Sequence, residues 1–182
     1  MKKTVLVFGL ISGVLVSAMM AATVPFADKI GFDHSEWLGY TILVLAFLLV
    51  YFGIRSYRDN VGGGQISFGR AFAVGILITL IASVCYVVTW EVMYFRFMPD
   101  FMDKYAAHMV EKARASGASA AAIQAQMEQL QKYKAMYHNV WINAAMTFVE
   151  PFPVGLVVTL ISAGVLRRKA TPPAVGEAVV LA

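Results

Sequence analysis

The chain has 182 residues, 59% of them hydrophobic and 14% charged, with a net charge of +4 and a mean hydropathy of +0.68. Soluble domains carry about 25% charged residues, so the balance excludes an ordinary soluble domain and identifies an integral-membrane composition. The basic residues stand in short clusters beside apolar runs rather than along one surface, which argues against a nucleic-acid partner.

Cys85 is the single cysteine, so neither an intramolecular disulfide nor a cysteine-based zinc site can form, and it is expected to pack as a small apolar residue. Lys2 and Lys3 precede an uncharged run over residues 4–27. That run exceeds the roughly 7–15-residue core of a secretion signal, and a retained first span is expected. Within it Gly9, Gly13, Ser17 and Ala21 recur every fourth residue, a stripe that lets a second helix approach closely.

A short connection over 25–36 leads to a second span, 37–54, which has no comparable stripe and is expected at the lipid-facing periphery. Arg55, Arg58 and Arg70 outnumber Asp59 around the glycine-rich loop 61–67, which predicts a cytoplasmic loop. Ser67 is placed to cap a third span over 68–95. The small-residue stripe returns there as Ala71, Gly75, Thr79 and Ser83, and in a fourth span over 140–166 as Gly155, Thr159 and Ala163. Spans one, three and four are therefore expected to form the packed core.

Between spans three and four, Phe101, Met102, Tyr105, Ala106, Met109 and Val110 follow spacings of three and four, the pattern of an amphipathic helix. Ser116-Gly117 breaks it, Ser119 can cap a second helix, and Ile123, Met127, Leu130, Tyr137 and Trp141 continue an apolar stripe. The two helices form an αα-hairpin over 99–139. Nothing before Pro151 interrupts the second, which is expected to run straight into the fourth span. Arg167-Arg168-Lys169 stops that span on the basic side, and 171–182 form a flexible cytoplasmic tail. The expected architecture is an all-α membrane protein, a single domain over 1–170 with four transmembrane helices. Both termini lie in the cytoplasm and the hairpin between spans three and four is extracytoplasmic.

Three passages together resemble a bacterial integral-membrane family, domain of unknown function 4199. They are Gly62-Gly63-Gly64-Gln65-Ile66-Ser67-Phe68-Gly69-Arg70-Ala71, the exit Tyr94-Phe95-Arg96-Phe97-Met98-Pro99-Asp100-Phe101, and the closing Arg167-Arg168-Lys169. The resemblance implies a four-span protein of the bacterial inner membrane with an extracytoplasmic insertion before the last span. It brings no activity, ligand or catalytic residue.

Glu91 and Glu150 are the carboxylates nearest membrane depth. Counted at 1.5 Å per residue from the basic ends, both reach the outer-leaflet level. One reading gathers Glu91, Asn143 and Glu150, joined by Arg96 or His138, into a polar cluster at the mouth of the bundle, where intramembrane charges mark pathways. The other leaves both glutamates solvated at the headgroup interface, with Trp90, Tyr94 and Trp141 as an aromatic belt. Glu91 and Arg96 are five residues apart, about 140° around a helix, and do not share a face. Glu150-Pro151-Phe152-Pro153 lacks two backbone donors and favours a kink.

The loop 62–69 lacks the Gly-Lys-Ser/Thr ending of a phosphate-binding loop, so it reads as a tight turn whose arginines meet anionic lipid. His108, Glu111 and His138 supply too few convergent ligands for a metal, and a solvated helix face is expected there. No nucleophile–base order is visible, and no enzyme activity, metal or cofactor is expected. The function expected is an interaction or structural membrane component, with the lipid bilayer around it and a partner or second copy on the hairpin. The alternative is a small transporter or permeation component using Glu91 and Glu150.

Overall fold

A computed structural model describes residues 1–168. The described chain runs through α1 (Lys2–Thr23), α2 (Ala27–Ile30), α3 (Phe32–Asn60), α4 (Phe68–Val92), α5 (Phe101–Ala115), α6 (Ala120–Tyr137), α7 (Val140–Phe148) and α8 (Pro151–Leu166). Four helical stretches, Lys2–Phe26, Phe32–Asn60, Phe68–Phe97 and Val140–Leu166, are long and apolar enough to cross a membrane. Their outer faces carry exposed Leu6, Val14, Leu45, Val88, Ile161 and Val165, as expected of a multi-pass membrane protein. The tail expected over 171–182 lies outside the described residues.

The bundle is a ring. Both α1 and α8 pack against α3 and against α4, and α3 and α4 meet across the middle. Close approach depends on absent side chains. A Cβ on Gly75 would stand 2.7 Å from Thr159 Cγ2, and one on Gly155 would stand 2.4 Å from Thr79 Cγ2. Each helix thus presents its glycine to the other's threonine. The reciprocal fit brings the two hydroxyls within 3.1 Å, and the Thr79 hydroxyl also donates to the Gly155 carbonyl at 3.3 Å. On the other side of α4, Gly9 lies against Ile81 and Gly13 against Cys85. One turn on, the Thr89 hydroxyl donates to Ser17 Oγ at 2.8 Å. Polar bonds between membrane helices of this kind contribute roughly 0.6–2 kcal/mol each.

The second span is not peripheral. Its residues Ala46, Phe47, Val50 and Ile54 are wholly buried, and α3 packs on both α1 and α8. The stripe that does this is large rather than small. Phe47 fills the space over Gly155, and Ile54 fills that beside Gly75, so knobs on α3 occupy the hollows that glycines leave on α4 and α8. Looking only for small residues finds the hollows and misses the knobs.

At one end of the bundle, α3 and α4 are joined by the loop 61–67, whose turns are closed by Gly62 N–H to the Tyr57 carbonyl and Gly64 N–H to the Arg58 carbonyl, both 3.0 Å. Gly64 has φ +82°, and a Cβ on Gly62 would lie 2.3 Å from the Gln65 carbonyl oxygen. Neither position admits a side chain without strain. Ile66 and Arg168 then exchange backbone hydrogen bonds of 3.1 and 2.9 Å, tying the loop to the end of α8.

At the opposite end stands the hairpin. A π-helical turn over Met93–Phe97 widens the exit of α4, and α5 and α6 fold back on each other with Lys134 of α6 bonded to Asp103 of α5. The Ser67 and Ser119 hydroxyls accept the Arg70 and Ala122 amides, capping α4 and α6. The second hairpin helix does not run straight into the fourth span. It stops at Tyr137, and Asn139 restarts the helix by accepting the amides of Trp141 at 3.0 Å and Ile142 at 3.3 Å. An asparagine inside an apolar helical pattern serves as a cap because its side chain satisfies donors that a continuing helix would satisfy itself.

Candidate functional site at the hairpin end

Trp90, near the end of α4, is turned into the protein, and its indole N–H donates to Asn143 Oδ1 at 2.9 Å. Asn143 is wholly buried. Its amide donates to the Tyr137 carbonyl at 3.2 Å, and its oxygen also accepts the Thr147 hydroxyl at 3.2 Å. One side chain thus fastens the ends of α4, α6 and α7. Tyr94, stacked on Trp90 at 5.8 Å, is buried too. Neither faces outward as an aromatic perimeter would, whereas Trp141, 83% exposed, and Trp37, 78% exposed, do face outward.

Two cavities open beside Trp90. The first, about 430 Å³, lies between α1, α3, α4 and α5. The second, about 500 Å³, lies between α5, α6 and α7. Trp90, Phe101, Tyr105, Met109 and Glu150 line both, so Glu150 stands in the wall they share. The local sequence puts it there. It occupies the N-cap position of α8 but makes no capping bond. A capping oxygen normally accepts the second or third amide of the helix, and the third here is Pro153, which has none. The carboxylate is left for the cavity, whose wall it shares with Tyr86.

The hairpin is held over the first cavity from α5. Phe32, the first residue of α3, meets the Phe101, Tyr105 and His108 rings at 6.1, 5.9 and 5.1 Å. Asp33 beside it accepts Lys112 Nζ at 2.7 Å and has His108 Nε2 at 3.6 Å. That hydrogen bond holds the Lys112 ammonium above the ordinary lysine range. Burial, reinforced by the Glu36 charge, pushes the Tyr105 phenol up. His108 is therefore no solvated helix face. Glu111, by contrast, is exposed. Among the described residues no three metal-ligating side chains converge.

The five residues of the sequence-level polar cluster separate. Glu150 lines both cavities and Asn143 is the knot beside them. Arg96 and His138 are exposed, and with Glu91 they line neither cavity. Both Glu91 carboxylate oxygens are enclosed without a hydrogen-bond partner among the described residues.

All of these residues fall within a match, over residues 7–168, to the family model described as Protein of unknown function (DUF4199). The chain belongs to the DUF4199 family. No curated protein and no solved structure matches it. In this DUF4199 chain, Glu36, Tyr40, Tyr86 and His108 are cavity residues that the sequence did not single out as a group. They come from three helices, and only the docking of α5 on Phe32 brings His108 to the others. The available signal was the acidic connection before the second span, with Asp33 and Glu36 one helical turn apart.

Proposed function

We propose that this DUF4199 protein is a ligand-binding component of the bacterial inner membrane. Both termini are cytoplasmic, the arginine-bearing loop is inside, and the hairpin closes over a small molecule at the extracytoplasmic end. The observation that carries the reading is Glu150, an intramembrane carboxylate left uncapped by its own helix and standing in the wall of two cavities of about 430 and 500 Å³. Ligand cavities run from about 300 to 1,000 Å³ with a few placed polar groups in apolar walls, and ionisable groups at membrane depth are costly enough to suggest use. The reading is non-enzymatic: it gives Glu150 a binding role and assigns Glu91 none. A permeation component would share the same cavity.

A second reading, self-association through the hairpin, is favoured by Met127, Tyr133 and Met136, which stand exposed on α6. It is compatible with the first.

The test places a thiol on the wall. Met19→Cys, on the wall of the first cavity alone, in a Cys85→Ala background is expected to react rapidly with a small methanethiosulfonate in intact membranes. Gly39→Phe, at a cavity position where a Cβ meets nothing within 4 Å, is expected to slow it. A rate indifferent to Gly39→Phe removes the proposal.

A further inference from the structure

Resting on the cavity reading above, we infer that the first cavity takes an amphipathic organic cation, a protonated amine or ammonium head carrying an apolar tail. The wall holds three carboxylates, Asp33, Glu36 and Glu150, against the basic Lys112 and His108. Both basic groups are engaged with Asp33, at 2.7 and 3.6 Å. Among the described residues neither Glu36 nor Glu150 has a cation in ion-pair range. Two like charges facing one space repel, and a cation entering between them relieves that repulsion.

The rest of the wall selects the kind of cation. Phe32, Tyr40, Tyr86, Trp90, Phe101 and Tyr105 present rings to the space, and aromatic faces attract an organic cation within about 6 Å of their centres. A hard metal ion instead requires six or more oxygen ligands, which rings do not supply. Ser35 Oγ, on this wall, is enclosed and makes no hydrogen bond. It is a polar atom left over once the protein's own bonds are made, and a nitrogen-bearing guest or its water would satisfy it. Met19, Met20 and Leu43 complete the wall on the α1 and α3 side, an apolar bed for the tail. An anion would meet the two unpaired carboxylates, and a purely apolar guest would leave both facing hydrocarbon.

The same head chemistry could arrive as a free amine or as an aminophospholipid headgroup. The experiment uses Trp90 as the reporter, in a Trp37→Phe, Trp141→Phe background reconstituted in phosphatidylglycerol nanodiscs, titrated with octylammonium and, separately, with octanol. Octylammonium is expected to shift Trp90 emission saturably and octanol not to. Glu36→Gln and Glu150→Gln are each expected to weaken the effect about tenfold or more, and Gly39→Phe to abolish it. If phosphatidylethanolamine in the disc produces the shift by itself and blunts octylammonium, the amine is a lipid head. If it changes nothing, the amine is free. Equal saturable binding of octanol and octylammonium, lost in Gly39→Phe, overturns the cation inference and leaves the cavity reading standing. No titration with either probe, and no effect of Gly39→Phe, overturns both.

Discussion

The Trp90 indole N–H reaches Asn143 Oδ1 across 2.9 Å, and Asn143 also binds the Tyr137 carbonyl and the Thr147 hydroxyl. The bond turns the last ring of α4 inward, makes it a cavity wall, and fixes the base of the hairpin. Asn143→Leu is expected to strand the Trp90 donor and the Tyr137 acceptor, at a cost of about 1–3 kcal/mol. Trp90→Phe, which removes the donor but keeps an aromatic ring and leaves Asn143 Oδ1 bonded to the Thr147 hydroxyl, should cost less. Reversible unfolding of both variants in mixed micelles checks the order.

The glycine–threonine exchange between α4 and α8 makes a sharper demand. Gly155→Ala puts a methyl group against Thr79 and the Phe47 ring, whereas Gly164→Ala meets nothing within 4 Å on the same helix. The first is expected to destabilise by about 1–3 kcal/mol, the usual cost of overpacking, and the second to be nearly silent. Thermal denaturation of the pair in one detergent distinguishes them.

The chain's small-residue stripes were legible because steric absence is a local property of sequence: Gly9, Gly13, Gly75 and Gly155 all stand at close approaches. The role of Phe47 and Ile54 was not, since a large apolar residue reads alike whether it faces lipid or fills a partner's hollow. Asn139 and Pro151 divide the last polar and apolar stretches into three helices. Proline announces itself, but asparagine becomes a cap only when the neighbouring backbone leaves the helix. Glu150 was legible as a costly charge. Its neighbours were not, because Glu36, Tyr86 and His108 are far apart in the chain, and His108 joins the others only through the docking of α5.

The Asp33–Lys112 pair adds to that docking beside the Phe32 ring contacts. The Lys112 ammonium is held above its ordinary range by the Asp33 hydrogen bond, so its contribution is fully present below the unfolded lysine value of about 10.4 and is lost as pH rises past the raised folded one. Amide exchange of α5, corrected for intrinsic rate, is expected to lose protection as the solution is taken above that range. Lys112→Met is expected to show the loss at neutral pH and a smaller further change with alkalinity. The pair is exposed, so the effect should also shrink in high salt.

At the other end, Gly62→Ala drives a methyl group into the Gln65 carbonyl, and the Ile66–Arg168 backbone pair is expected to open with it. Faster exchange of the Ile66 amide would show this, while Gly69→Ala, where a Cβ meets nothing within 4 Å, should leave it protected. In a Cys85→Ala background, cysteines at Ser67 and Ser116 are expected to label from opposite faces of the membrane.

Native mass spectrometry of the protein released from its own membrane lipids tests the binding role most directly. The unmodified chain is expected to carry a small molecule of defined mass through mild activation, and Gly39→Phe, equally folded and inserted, to emerge without it. Identical spectra for the two, with no retained species, would contradict a ligand cavity beneath the hairpin.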